Sequence, residues 1–438
     1  MTTTASAPDP ATVLRSKSYV SLLILCAAVG APIAAIAYFF LALVDFLQGW
    51  IFTTLPESFG GGTAPLWWPF VPLLAAGILV SLAIKYLPGT GGNSPADGFK
   101  MEGAPSSAQL PGIFFAALGT LSLGVVLGPE GPLIALGAGL GALAVRLVKR
   151  GAPPRVQTMM AAAGSFAAIS TLLGSPLTGA FLLMEASGLG GPALGLVLVP
   201  GLLAAGVGSL IFVGLDAWTG LGTFSLAIPN LPAADAPSGV QFLWAIAIGL
   251  LAVPVGAGIR WLGVTLRTLV ERRVLVITPL VGVGIAALAV GYAAITGMSS
   301  ADVLFSGQTA LGPLIENISD YTVGTLLLLL VCKALAYGLA LSSFRGGPTF
   351  PALFIGAVGG AALAHLPGLP PIAGMAMGIG AMCVVMLKLP LTSVLLTSLI
   401  LAADGLTLMP LVIVAVVVAH VASARFAPLP TADGAKLS

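Results

Sequence analysis

The sequence predicts an all-α polytopic membrane protein whose helices are interrupted inside the bilayer. Three observations predict it. Hydrophobic residues make up 58% of the 438 residues, charged residues only 7%, and the mean hydropathy is +1.09. A soluble domain carries roughly 25% charged residues, so this composition excludes one. Long stretches lack Asp, Glu, Lys and Arg altogether, and about 20 apolar residues are enough to span a bilayer. Finally, the chain carries 57 Gly and 33 Pro, many of them inside those stretches, which suits helices that break and restart.

Taken in order, the charge-free runs are Tyr19–Val44, Leu66–Ile84, Val156–Met184, Ala186–Leu215, Ser238–Ile259, Val274–Ala301, Gly346–Leu387 and Gly405–Ala424. Several are single passes. Gly346–Leu387, with His365 as its one titratable group, is long enough for two passes or for broken, re-entrant helices. The count of helical segments lies between about ten and eighteen on a span of ~20 residues. Basic residues gather at Arg15/Lys17, Arg146/Lys149/Arg150/Arg155 and Arg260/Arg267/Arg272/Arg273, which the positive-inside rule makes cytoplasmic. The net charge of +2 is too small to point to nucleic acid. Cys26, Cys332 and Cys383 sit in apolar runs without a spaced pair, so neither a disulfide framework nor a metal site is expected. The first dozen residues lack the basic region and short apolar core of a cleaved signal peptide. The tail after Arg425 is short for a regulatory domain. The expected organisation is a polar segment 1–17, a first membrane repeat 18–215, a loop 216–239, a second membrane repeat 240–425 and a polar tail 426–438.

Glu130 is the residue that points most sharply to function. It stands in Gly128-Pro-Glu-Gly-Pro132, with no other ionisable residue from Gly103 to Val145. A carboxylate in such surroundings is costly and marks a functional site. Gly and Pro break the run before it and Pro132 can open a new helix, which places Glu130 beside unsatisfied backbone N–H groups. Such a helix start at membrane depth is an anion site. Two further helix starts follow the same chemistry. Ser94-Pro-Ala-Asp97, after the break at Gly89–Asn93, reads as a capping box with Pro at the first helical position. Pro348/Thr349 is the third, and all three could aim their N–H groups at one point.

A repeat relates two of these starts. Gly128–Ala142 aligns without gaps on Gly347–Ala361 with seven of fifteen positions identical, and Pro176-Leu-Thr178 recurs as Pro390-Leu-Thr392. Paired Gly/Pro-interrupted segments in two halves are the sequence pointer to a transporter with its site between the repeats.

At this point the residues resemble a family. Tyr86-Leu-Pro-Gly-Thr-Gly-Gly-Asn-Ser-Pro95, Gly128-Pro-Glu-Gly-Pro132, Gly174-Ser-Pro-Leu-Thr-Gly179 through Glu185, and Gly346-Gly-Pro-Thr-Phe-Pro-Ala-Leu-Phe-Ile-Gly-Ala357 resemble, in order, the CLC chloride channels and proton/chloride antiporters. Within that family the chain is most similar to a divergent bacterial branch of ion-transport proteins. The resemblance implies a CLC-type inverted-repeat fold, a homodimer with one pore per subunit, and a place in the bacterial plasma membrane. It also implies that Glu130 is the external gating glutamate, occupying an anion site when deprotonated and swinging out when protonated. Helix-start amides around Asn93, Ser94 and Pro95, around Gly131 and Pro132, and around Thr349 and Phe350 would bind the dehydrated anion. No cofactor is implied.

The departures from the pattern bear on coupling and selectivity. Asn93 falls where the family has a serine, though an amide N–H can still donate to an anion. Thr349 stands where Phe is usual. The last tyrosine is Tyr337, so the pore tyrosine near the family's C-terminus is missing. Ala186 replaces the internal proton-accepting glutamate of many exchangers, which leaves Glu185 as the candidate for that role. The expected function is transport of a monovalent anion, chloride first, by a passive or proton-coupled route, with fluoride/proton antiport as the alternative. A membrane-embedded enzyme would need a nucleophile with a base in reach. His365 and His420 lie in apolar runs without such a context, and the Gly137-x-Gly-x-Gly141 string reads as close helix packing rather than a nucleotide fingerprint. A cation path would need acidic linings, and Asp45, Glu185 and Asp404 are scattered. Lys333 and Arg345, just before the third motif, are placed near the interface or in a polar pocket.

Overall fold

A computed structural model of the chain describes residues 14–58, 64–98, 103–148, 151–170, 172–173, 175–188, 192–226, 236–401 and 404–426. Lys149, Arg150, Gly174, most of the polar N-terminal segment, part of the 216–239 loop and residues 427–438 lie outside the described residues. Within them the chain folds into fifteen α-helices longer than three residues, inside the range read from the sequence.

The first half runs α1 Lys17–Gly49, α2 Phe70–Tyr86, α3 Leu110–Ser122, α4 Glu130–Val148, α5 Pro154–Ala168, α6 Pro176–Ser187 and α7 Pro192–Thr219. The second runs α8 Gly239–Arg272, α9 Val274–Thr296, α10 Leu311–Glu316, α11 Val323–Ser343, α12 Thr349–Leu363, α13 Pro371–Leu387, α14 Pro390–Ile400 and α15 Asp404–Phe426. Seven of these are long and apolar enough to cross a membrane. At 1.5 Å per residue, α1 and α8 are each about 50 Å long, well beyond the ~30 Å hydrocarbon core, so each tilts within it or extends past it. By the same measure α6, α12 and α14 reach only about 16–22 Å, too short to cross it. The run Gly346–Leu387 therefore resolves into two broken helices, α12 and α13, rather than two full passes.

Half-helices at membrane depth bring their own problem, because their ends carry unsatisfied amides and carbonyls. Here the N-terminus of α12 and the C-terminus of α13 are buried against other helices. In α12 and α13 nearly every residue is inaccessible. Lipid-facing helices instead expose Ile24, Phe46, Leu210, Trp218, Trp261 and Leu406, as a bilayer requires.

The repeat read from the sequence has a packing counterpart. A Cβ added to Gly137 would strike the Gly164 carbonyl, and one on Gly141 the Met160 carbonyl, so α4 lies against the backbone of α5. Gly356 and Gly360 occupy the matching positions of the second half. Their added Cβ atoms would strike the carbonyls of Gly378 and Gly374, so α12 lies equally close to α13. Small residues that let backbones approach are the usual device of helix packing in membranes. The glycine string is thus a packing surface, as its apolar context implies.

Candidate functional site

Gly128 and Gly347 form the sole β-bridge among the described residues. Gly128 N–H donates to Gly347 O at 2.8 Å and Gly347 N–H donates to Gly128 O at 2.6 Å. These two hydrogen bonds tie the segments that lead into α4 and α12, so both helix N-termini meet at one place. Each terminus carries unsatisfied N–H groups and the positive end of a helix dipole.

Glu130, first residue of α4, is fully buried there. Its Oε1 accepts a 2.5 Å hydrogen bond from the Thr349 backbone N–H, the first amide of α12. The residue at the N-cap of α12 is Pro348, which has no side-chain oxygen to offer. Glu130 therefore caps a helix of the opposite repeat. The two bridging glycines make room for it. A Cβ on Gly347 would overlap the carboxylate itself, and one on Gly128 would strike both Glu130 Oε2 and the Phe350 ring. The second carboxylate oxygen, Oε2, and the Thr349 hydroxyl beside it are buried and make no well-formed hydrogen bond. Glu130 is thus held through one strong bond at one oxygen.

Glu185 is held quite differently. Its Oε1 accepts from Leu391 N–H at 3.0 Å, and its Oε2 accepts from Thr392 N–H at 2.8 Å and the Thr392 hydroxyl at 2.6 Å. The reason lies in the repeat. α6 is capped by its own Ser175, which accepts from Leu177 N–H, but the matching position before α14 is Leu389, which cannot cap. Glu185, near the end of α6, supplies the missing acceptor across the repeat. Three donors at two oxygens leave this carboxylate fixed.

The first motif lies at the edge of this centre. Arg345, one residue before Gly346, donates from Nε to Thr90 O at 3.1 Å and so links the loop 89–97 to the third motif. Pro95–Asp97 is a single 3-10 turn and Ser94 makes no capping bond. The capping box expected from Ser94-Pro-Ala-Asp97 does not form, because Asp97 is paired instead with Arg267, whose Nε also donates to Glu271 at 2.6 Å. Asn93 is exposed, Pro95 is buried, and the Ser94 hydroxyl is buried without a hydrogen bond. Among the described residues no hydrogen bond joins Asn93, Ser94 or Pro95 to Glu130 or Thr349. Pro95 and Pro132 have no N–H, so neither can donate to an anion, and their part is to fix the backbone at a helix start. Gly131 packs against Gly346, and Phe350 is buried on the first turn of α12.

Lys333, midway along α11, occupies a polar pocket as expected. Its Nζ donates to Asp302 O at 2.9 Å and Leu304 O at 2.7 Å and lies 4.5 Å from the centre of the Phe354 ring. The Asp302 carboxylate accepts from the Tyr292 and Tyr321 hydroxyls at 3.4 and 3.3 Å. Burial pushes the Asp302 carboxyl above the ordinary carboxylate range, with the nearby Lys333 charge pulling the other way. Sequence reasoning missed Tyr337. Its buried hydroxyl donates to Pro348 O at 2.7 Å, next to the amide that holds Glu130. Only its place eleven residues before Pro348 hinted at this.

Residues 76–424 match the family model described as voltage gated chloride channel. The chain belongs to the CLC family. YfeO of Escherichia coli O1:K1, a protein named for ion transport, is 30% identical over 372 residues, 81% of this chain and 82% of that protein. A slow cyanobacterial Cl−/H+ antiporter has the same fold, with a TM-score of 0.74 at 20% identity over 93% of this chain and 95% of that one. A CLC-type fluoride/proton antiporter superposes with a TM-score of 0.66 at 22% identity, covering 92% and 95%. CLC proteins are multi-pass membrane proteins that transport anions, as transporters or channels and not as enzymes. This chain is therefore an anion-transport protein, with the CLC inverted-repeat fold and interrupted helices.

Proposed function

We propose that this CLC protein carries chloride across the bacterial plasma membrane through a path gated by Glu130, without obligatory proton exchange. The observation that carries the reading is the hydrogen bond from Thr349 N–H to Glu130 Oε1 at the junction of two helix N-termini. A backbone amide that holds a carboxylate oxygen can equally hold an anion, and the two cannot occupy it together. Anion in and carboxylate out is then one exchange at one amide. The Thr349 hydroxyl and the amides of Gly131 and Phe350 lie near enough in the chain to complete the anion's shell. Asn93 and Ser94 belong to its approach, beside Arg345 and Arg267. Two copies of the chain would form a homodimer with a separate path in each.

The uncoupled reading is supported by Ala186, which stands where many exchangers carry the internal glutamate, and by the three donors that hold Glu185 against the start of α14. The solved neighbours named above are antiporters of chloride and of fluoride with protons. The decisive experiment records chloride release and external pH together from proteoliposomes holding a steep chloride gradient. Chloride release without matching alkalinisation is expected, with Glu130→Gln faster than the wild type at neutral pH. Proton uptake in fixed ratio to chloride would overturn the uncoupled reading. Release of fluoride and not chloride would make fluoride the substrate.

A further inference from the structure

The peptide group between Pro348 and Thr349 is bonded at both ends. Its N–H donates to Glu130 Oε1 at 2.5 Å, and its C=O accepts from the Tyr337 hydroxyl at 2.7 Å. Tyr337 lies on α11, Glu130 on α4 and the peptide at the start of α12, so three elements converge on one planar unit. All three residues, Tyr337, Glu130 and Thr349, are fully buried.

The chemistry of that unit makes the two bonds dependent on each other. Resonance keeps the peptide planar, so fixing the direction of the C=O fixes the direction of the N–H. A donor on the carbonyl oxygen also withdraws electron density along the amide, which makes the N–H a stronger donor. Hydrogen bonds in series strengthen one another in this way, most of all in a low-dielectric interior. The carbonyl can accept the hydroxyl without giving up its place in the helix, since a C=O has two lone pairs and an N-cap C=O already accepts the first helical bond. A phenylalanine ring would fill the same space, so packing does not require the hydroxyl.

We propose that Tyr337 is a positioning residue of the gate: its hydroxyl aims and polarises the Pro348–Thr349 peptide, and thereby sets how tightly the Thr349 amide holds whatever sits on it, the Glu130 carboxylate or an anion. The inference rests on the reading that an anion replaces Glu130 at this amide. It assigns the hydroxyl to α11 and has it act through the backbone, not by touching the anion.

Tyr337→Phe removes the hydroxyl and keeps the ring. The test uses the purified full-length protein with Glu130→Gln, alone and combined with Tyr337→Phe. Two quantities are read: hydrogen exchange of the peptide spanning 346–353 by mass spectrometry, and chloride affinity by titration calorimetry. One neutral hydrogen bond is worth about 0.5–1.5 kcal/mol. That corresponds to roughly a two- to tenfold weaker chloride affinity, and faster exchange confined to 346–353 is expected with it. Exchange and affinity unchanged from Glu130→Gln alone would overturn the proposal. So would a lower melting temperature with unchanged chloride affinity, which would make the hydroxyl structural only. Faster exchange at 346–353 with no chloride bound by either protein would uphold the positioning role and overturn the chloride reading instead.

Discussion

Glu130 and Glu185 have the same side chain, and each caps a helix of the other repeat, yet their fates differ by how many donors they meet. Glu130 is anchored at one oxygen, while Oε2 is buried without a good partner. Glu185 takes three donors. On the proposed reading the first carboxylate gives up its amide to an anion, while the second stays in place. A hydrogen bond to a charged group contributes about 1.5–3 kcal/mol, so Glu185→Ala should lower stability by about 2 kcal/mol, read as a lower melting temperature in detergent. Chloride flux per folded protein should persist. Gly347→Ala should act as a gate mutation, because its Cβ falls on the Glu130 carboxylate. Its flux should match that of Glu130→Gln, and combining the two should add nothing further. The placement of Glu130 at a buried helix start was legible in the sequence, because Gly and Pro flank it and a lone acid among apolar residues is costly wherever it folds. The partners of Glu185 and Tyr337 were not, since they lie 206 and 11 residues away on other elements and leave no local pattern.

At the scale of elements, the broken helices follow from where Gly and Pro fall. Pro176 and Pro390 start α6 and α14 at the positions that the repeat predicts. The turn at Pro95–Asp97 shows the limit of such reading. Local sequence specified a capping box, but a charge from α8 claimed Asp97, and a tertiary ion pair overrode the local signal. α11 is tied to the loop before α10 by Lys333, which is fully buried and satisfies two backbone carbonyls. An unsatisfied buried acceptor costs about 1–3 kcal/mol. Lys333→Met, which keeps the length and loses the donors, should therefore destabilise the protein by about 2–6 kcal/mol for the pair, measurable by thermal unfolding.

Across the whole molecule, the two halves share a backbone-to-backbone packing that the repeat alignment places residue for residue: Gly137 and Gly141 on α4, Gly356 and Gly360 on α12. This closeness keeps the two helix starts rigid enough to oppose each other across the Gly128–Gly347 bridge. Gly360→Val should force α12 off α13 and yield aggregated protein on size exclusion. Gly258→Ala on α8 should behave as wild type, because nothing lies within 4 Å of its added Cβ. The membrane class was readable from composition, the family from the resemblance of its motifs, and the pairing of the second and third motifs from the repeat. How far each half-helix reaches was not, because it depends on which carbonyls can approach which glycines.

On the proposed reading, the Glu130 carboxylate and a transported anion compete for the Thr349 amide. Bromide is a chloride surrogate with a usable anomalous signal, so the direct measurement is anomalous diffraction from crystals of wild type and Glu130→Ala soaked in bromide. A bromide peak within hydrogen-bond reach of Thr349 N in Glu130→Ala, and weaker or absent there in the wild type, is the expected result. Bromide bound elsewhere in the pathway, with the Thr349 amide empty in Glu130→Ala, would contradict the account.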